Sequence, residues 1–405
     1  MVVCNRIRGR VVRNFLGTKI APLVFTVCFL VTCIRVGYIS DKIPATLTAY
    51  AAGFAVFALF LLAAIKRRKV HSVAAAIGFF SAAVVFSTLI NGGNCITALY
   101  EVLPPLAVAL LFGTIEQDAL CDYLDQFAFW GGLLIILDGL TMLAYPNGMY
   151  ASDLYANNWL LGYKTQRVWF GLPITVLLCV NSYRKKGKLG AIPIMIGIVL
   201  ALTSRHAGAT MGTVAVVLLI ACFYIMKLAA NRWTSLFVRW VLDFRVWAIV
   251  SVIIAASLVL SSNNGLALQV SELFNKSPTL SGREVVWNAT IAAWVGSPLL
   301  GIGALTSSQY IALTGVGGGT NAHNLVLAIL QSSGIVGFAS VLIAFILAFR
   351  SYKPWAVGAS SILASGVVLC LFIGITSCNA FELFTLPLLV LLARANEEED
   401  FLNFS

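Results

Sequence analysis

Residues 44–65 read PATLTAYAAGFAVFALFLLAAI, residues 66–70 read KRRKV, and residues 71–90 read HSVAAAIGFFSAAVVFSTLI. Two apolar runs, each near the roughly 20 residues needed to cross a hydrocarbon core of about 30 Å, are joined by a knot of cations. Backbone amides find no water in lipid, so such runs cross as helices. Lys66, Arg67, Arg68 and Lys69 hold their connection on the side where basic loops stay. The same ruler, carried along all 405 residues, predicts twelve spans at 20–39, 44–65, 71–90, 95–114, 126–145, 168–183, 189–204, 208–227, 246–262, 334–349, 355–377 and 381–394. The short pair 168–183 and 189–204 also fits a re-entrant hairpin. The expected fold class is all-α, a polytopic membrane protein of about 12 transmembrane helices forming one integral domain over residues 1–405.

Composition points the same way. With 60% hydrophobic and 11% charged residues and a mean hydropathy of +0.92, a water-soluble enzyme is excluded. A net charge of +11 would raise nucleic acid as a partner of a soluble protein. Here the cations occupy short loops between apolar runs, so the lipid bilayer is the expected partner and nucleic acid is not. Twenty of the 27 Lys and Arg fall on alternate loops, which puts both termini in the cytoplasm by the positive-inside rule. Arg6, Arg8, Arg10 and Arg13 precede a first apolar run with no A-x-A-like cleavage site, which reads as an uncleaved helix. The nine cysteines form no C-x-x-C pair, and those within apolar runs read as small hydrophobes. Cys95 and Cys378, both near outer ends of spans, are the one pair placed to bridge.

The largest departure from apolarity is residues 262–333, an extracytoplasmic loop too long for a plain connector and therefore read as functional. Within it, EVVWNATIAAWV (284–295) has helical apolar spacing and GVGGG (315–319) is a break, so short interfacial helices are expected. A second outer loop, 146–167, carries Asp153, Asn157, Asn158, Lys164 and Arg167.

Seven cations run against the charge bias: Arg35, Lys42, Lys164, Arg167, Arg205, Lys276 and Arg283. Arg205 ends an apolar run as T-S-R-H, and Arg283 opens the interfacial helix in S-G-R-E-V-V-W. Guanidinium stays charged and grips phosphate oxygens bidentately, so a pair of them at a membrane surface suits a diphosphate leaving group, as on a polyprenyl-diphosphate sugar. His323, in N-A-H-N-L-V-L, is a titratable group at that surface able to take a proton from an attacking hydroxyl. His206 and the carboxylates are the others. Outer Asp41, Asp153, Glu272 and Glu284 show no D-x-D or clustered spacing, so neither a metal nor any other cofactor is expected.

The run A-L-T-S-R-H-A-G, then S-G-R-E-V-V-W-N-A, then S-P-L-L-G-I-G-A, then A-H-N-L-V-L-A-I-L-Q-S-S-G-I-V-G-F resembles the O-antigen ligase and O-antigen polymerase superfamily. His323 and Gly334 fit its H-x10-G pattern. Upstream, N-N-W-L-L-G-Y-K-T-Q resembles an LG-x-K segment of polysaccharide polymerases, with Thr165 after Lys164 where Asn is common. The resemblance implies metal-independent, inverting transfer of a glycan from an undecaprenyl-diphosphate carrier at the outer leaflet of a bacterial cell membrane. It implies catalytic roles for Arg205, Arg283 and His323. Arg167, Lys164, His206, Glu284 and Asn324 are the residues expected to bind substrate. The expected activity is polymerisation of surface-polysaccharide repeat units, as in O-antigen or capsule synthesis, with a chain-length regulator and a repeat-unit flippase as partners. The alternative is a ligase that moves the finished glycan to a terminal acceptor.

Glu101, Asp138 and Glu382 lie within apolar spans, and intramembrane acids recur in secondary transporters, which keeps a glycolipid flippase or carrier as a rival class. Against it stand the lack of a paired repeat and a single expected helix break, at Pro104-Pro105, beside which Glu101 is expected to cap or line a substrate cavity.

Overall fold

The computed structural model describes residues 20–32, 38, 42–66, 69–151, 157–163, 165–232, 243–260, 283–316, 321–353, 358–375 and 385–397. Among them are helices and their connections and no strand. The helices are α1 (Ile20–Thr32), α2 (Ala45–Ile65), α3 (Ser72–Ile90), α4 (Cys95–Thr114), α5 (Gln117–Ala144), α6 (Gln166–Lys186), α7 (Ala191–His206), α8 (Thr210–Arg232), α9 (Phe244–Leu260), α10 (Arg283–Gly296), α11 (Ser307–Thr314), α12 (Leu325–Phe349), α13 (Ala359–Gly374) and α14 (Leu386–Glu397). A helix stands at each of the twelve expected spans. Five of them, α2, α3, α4, α5 and α12, are long and apolar enough to cross a membrane. Cys95 is a free thiol, and Cys378 lies outside the described residues.

Burial sorts the helices into an inner and an outer set. α13 and α14 bury nearly their whole circumference, whereas α2 leaves Phe54 (74% exposed) and Phe57 (65%) on its outer side. A helix that is apolar all round has no use for a water-facing side, and the ring of exposed aromatics is the surface lipid would cover. With no water to expel between helices in lipid, close packing holds them together. Gly366 of α13 meets α6 where a Cβ would stand 2.5 Å from the Val176 side chain.

Specific bonds fasten the two ends. At one, Arg394 donates to the carbonyls of Phe112 and Ile115 (2.8 Å each), and Arg184 pairs with Asp125 at 2.6 Å. At the other, Asn91 donates to the Gly301 carbonyl (3.2 Å) and His206 to the Pro146 carbonyl (3.1 Å). This second end carries every candidate residue that the structure describes.

Three expectations need correction. α5 begins nine residues before the expected span, because QDALCDYLD is helical yet too polar for a hydropathy ruler to register. α4 runs as one helix through Pro104 and Pro105, where a break was expected. The break lies in α12, which starts at Leu325 and departs from helical geometry at Gly334 (φ 60°, ψ −160°). The expected start of that span, residue 334, is the start of its second half.

Candidate functional site

The break in α12 explains the sequence S-P-L-L-G-I-G-A. A helix interrupted at Gly334 leaves donors of its second half and acceptors of its first half without intrahelical partners. Residues 298–303 supply them: Ile335 N–H donates to the Pro298 carbonyl (3.0 Å), Val336 N–H to that of Leu299 (3.2 Å), and the Gln331 carbonyl accepts from Ile302 N–H (2.7 Å). The Gln331 side chain donates to the Gly303 carbonyl at 2.7 Å. Thr88 of α3 anchors the segment by accepting from Ala304 N–H (2.8 Å). Both Gly301 and Gly334 sit at positive φ, and a Cβ on Gly334 would lie 2.3 Å from the Leu299 carbonyl. The loop is thus a plug fitted to the broken helix, and it fixes α12 relative to α10 and α11.

His323 stands two residues before the start of α12, about three turns ahead of that break. Its φ of 48° makes it the one non-glycine residue with positive φ among the described residues. Such a conformation costs energy and persists where surroundings over-determine it. They do so here. Asn321 Oδ1 accepts from His323 N–H (2.9 Å). Asn324, fully buried, caps α12 by accepting from Leu327 N–H (3.1 Å) and donates to the carbonyls of Ala255 on α9 (2.9 Å) and Ile375 after α13 (3.3 Å). Trp287 of α10, 1% exposed, donates from Nε1 to the Ala322 carbonyl (2.9 Å). The residues on either side of His323 are therefore tied to three other elements.

Arg283 sits one helical turn before Trp287, on the side of α10 that meets this loop. It is partly buried, and among the described residues its guanidinium has no hydrogen bond or ion pair. Its charge reaches His323: burial first, and then the Arg283 cation, push the imidazole down to about 4. Burial lowers Arg283 as well. At neutral pH the pair is a guanidinium without an anionic partner among the described residues, beside a neutral imidazole. That leaves one group to take a negative charge and one to take a proton.

The other expected residues divide. Arg205 stands in the last turn of α7, exposed, its guanidinium without a hydrogen bond or ion pair among the described residues, none of which ties it to Arg283. Beside it, exposed His206 bonds Pro146 and lies edge-on to Trp159 (centroids 6.2 Å apart). Glu284 is partly buried in the first turn of α10, where a carboxylate favours the helix N-terminus. Asn324 spends its amide on backbone groups, so it shapes the loop. Arg167 is fully buried: it pairs with Asp138 (3.4 Å), touches Met142 Sδ and the Gly162 carbonyl (3.3 Å), and lies over the Trp159 ring (4.8 Å). Lys164 lies outside the described residues, as do Asp41, Asp153, Glu272 and Glu382. No three His, Cys, Asp or Glu side chains gather into a metal-holding group among the described residues.

A cavity of about 520 Å³ adjoins the His323 loop. Glu101 lines it together with Tyr100, Thr97 and Asn94 of the first turns of α4, Thr306 and Asn321. Sequence reasoning singled out Glu101 but missed Trp287, Gln331, Asn321 and Thr88. Trp287 and Gln331 stood within the quoted motifs, and the i, i+4 spacing of Arg283 and Trp287 was the available signal for one of them.

The O-Antigen ligase family model matches residues 190–342, from α7 into the second half of α12. No curated protein matches the chain. The matched segment contains Arg205, Arg283, His323 and Gly334 and leaves Arg167 and Glu101 outside. Residues 190–342 are thus similar to the O-antigen ligase family, in a chain whose described residues include five helices long and apolar enough to cross a membrane.

Proposed function

We propose that this protein polymerises repeat units of a surface polysaccharide, transferring a glycan from an undecaprenyl-diphosphate carrier at the outer leaflet of the cell membrane. The observation that carries the reading is Arg283, a partly buried guanidinium without an anionic partner among the described residues, next to a neutral His323 held at strained φ. In the proposed step an acceptor hydroxyl attacks the anomeric carbon from the side opposite the diphosphate. The new C–O bond forms as the bond to the diphosphate breaks, which inverts the anomeric centre. His323 takes the hydroxyl proton, and Arg283, with Arg205, stabilises the charge gathering on the leaving diphosphate. No step calls for a metal or cofactor.

In this reading the twelve helices span, both termini are cytoplasmic, and residues 262–333 face outward. A flippase and a chain-length regulator would supply repeat units and limit their number. The ligase reading, with the finished glycan moved to a different terminal acceptor, uses the same chemistry and is favoured by the description of the matched family. A transporter is disfavoured by Asp138, one of its three intramembrane acids, which is bound to Arg167.

Purified protein given only lipid-linked repeat units is expected to make a ladder of longer lipid-linked chains, with His323→Ala about 10²–10⁴-fold slower. Transfer that occurs only after a different acceptor is added would replace the polymerase by the ligase.

A further inference from the structure

His323 is constrained in its backbone as well as its side chain. Its φ of 48° lies in the left-handed region, where a Cβ is crowded by the chain and from which a residue relaxes once its surroundings let go. Residues 321–324 read Asn-Ala-His-Asn and contain no glycine, so the turn is not made by a residue suited to it. A group that takes a proton must also stay within hydrogen-bond reach of it. Bonds from elsewhere therefore have to hold this backbone.

Two of those bonds fall on one peptide unit. The Ala322 carbonyl and the His323 N–H belong to the same planar trans group and point to opposite sides of the chain. Trp287 Nε1 donates to the carbonyl, and Asn321 Oδ1 accepts from the N–H, each at 2.9 Å. Either bond alone leaves the plane able to swing; together they set its tilt. Beyond His323 the chain is held again, by the Asn324 amide on the carbonyls of Ala255 and Ile375. The two bonds on the plane differ in origin. Trp287 reaches in from α10, whereas Asn321 bonds the N–H two residues ahead of it, an Asx-turn. Asp closes the same ring, Ser does so more weakly, and Gln, one methylene longer, does not fit it.

We infer that Asn321 is the positioning residue of His323: its Oδ1 and the Trp287 indole clamp the 322–323 peptide unit from opposite edges, and the clamp keeps the imidazole beside Arg283. The inference rests on the transfer reading above for what the imidazole does, and adds what keeps it in place. Such a clamp has a signature in mutants. Opening either jaw frees the same unit, so the loss of both should cost little more than the loss of one, whereas independent effects multiply.

The test uses the full chain, ¹⁵N-labelled at its 3 histidines, in lipid nanodiscs, with backbone amides assigned by replacing one histidine at a time. Hydrogen exchange at the His323 amide is expected to speed up about tenfold in Asn321→Leu and in Trp287→Phe, and to stay within about threefold of wild type in Asn321→Asp. In transfer assays Asn321→Leu and Asn321→Gln are expected to lower kcat about tenfold and leave donor and acceptor KM within about twofold. Asn321→Asp should restore most of the rate and Asn321→Ser part of it. The double variant Asn321→Leu with Trp287→Phe should be about 10–30-fold slower than wild type, against about 100-fold for independent effects. Should Asn321→Leu fail to accumulate, Asn321→Ala carries the same comparisons. Unchanged His323 exchange in the Asn321 variants, or the full product in the double variant, overturns the clamp and leaves the transfer reading intact. So does the reverse ranking, Gln active and Asp inactive, which would make the Asn321 amide a contact of a molecule in the cavity it lines. A wild-type protein that transfers no glycan, with His323 exchange still set by Asn321, keeps the clamp and overturns the transfer reading.

Discussion

The indole Nε1 of Trp287 donates a 2.9 Å hydrogen bond to the carbonyl of Ala322, the residue before His323. Because Trp287 is one turn after Arg283, that single bond sets the spacing between the helix bearing the guanidinium and the loop bearing the imidazole. Trp287→Phe keeps an aromatic ring, though a smaller one, and removes the donor, leaving a buried carbonyl unsatisfied at a cost of about 1–3 kcal/mol. The expected result is a protein that accumulates in membranes at near-wild-type level with transfer reduced about tenfold. Transfer equal to wild type would show that the two groups are held in register without this bond.

Arg283→Lys and Arg205→Lys keep the charge and lose the planar fork. Both variants are expected to reach the membrane in normal amounts and to lose about 10²–10³-fold in transfer rate, the usual effect of removing one donor to a developing oxyanion. The two arginines make no contact with each other here, so a loss at Arg283 alone would assign Arg205 to the surface and the diphosphate to Arg283.

With its imidazole pushed down to about 4 by burial and by Arg283, His323 stays neutral until the pH falls well below the ordinary histidine value near 6.5. A proton acceptor is competent when unprotonated, so the acidic limb of the transfer rate should lie near pH 4–5 and the rate should be flat through pH 6–8. Removing a neighbouring cation favours the protonated form, so Arg283→Gln should move the His323 midpoint upward. The chain has 3 histidines, which makes ¹⁵N-histidine NMR in nanodiscs a direct measurement. A wild-type His323 midpoint near 6.5 would sink the argument.

The positions of the apolar helices were legible because apolar runs are long and their caps are local. Residues 95–114 were read from hydropathy, and α4 has those bounds, with Asn94 accepting from Ile96 N–H at its start. The first half of α12 was not legible, since Gln331, Ser332, Ser333 and Gly334 end an apolar run too short to span, and the plug that completes it comes from residues 298–303. Arg283 and His323 could be singled out from their motifs. Arg167 could not be placed in depth, because its counterion Asp138 is on another helix and sequence spacing carries no record of that contact. The cavity depends on α2, α4 and α11 meeting, so only Glu101, conspicuous as an acid in an apolar run, hinted at it.

Gly334→Ala tests the broken helix. The φ of 60° with ψ of −160° belongs to a region open almost solely to glycine, and the added Cβ would meet the Leu299 backbone at 2.3 Å. Either the plug or the break must move, and with it the first half of α12, about three turns long, that leads back to the His323 loop. The variant is expected to accumulate at a small fraction of the wild-type level, measured by membrane immunoblot. Normal accumulation together with normal transfer would mean that α12 tolerates a straight path.

Arg167 and Asp138 form a pair in which each is a buried charge needing the other, and Leu161 N–H also donates to Asp138 (2.9 Å). Removing one partner strands a charge, which in buried pairs costs about 3–5 kcal/mol, while replacing both with apolar residues of similar volume is often neutral. Arg167→Met and Asp138→Leu should therefore each accumulate poorly, and the double variant should recover. Transfer by the recovered double variant separates two roles. If Arg167 acts by holding Trp159, and through Trp159 the His206 and Pro146 corner beside Arg205, the double variant should transfer glycan within about tenfold of wild type with acceptor and donor KM values unchanged. A double variant that folds, binds donor normally and has lost acceptor dependence would instead make Arg167 a direct contact of the second lipid-linked substrate, reached by a rearrangement that releases Asp138.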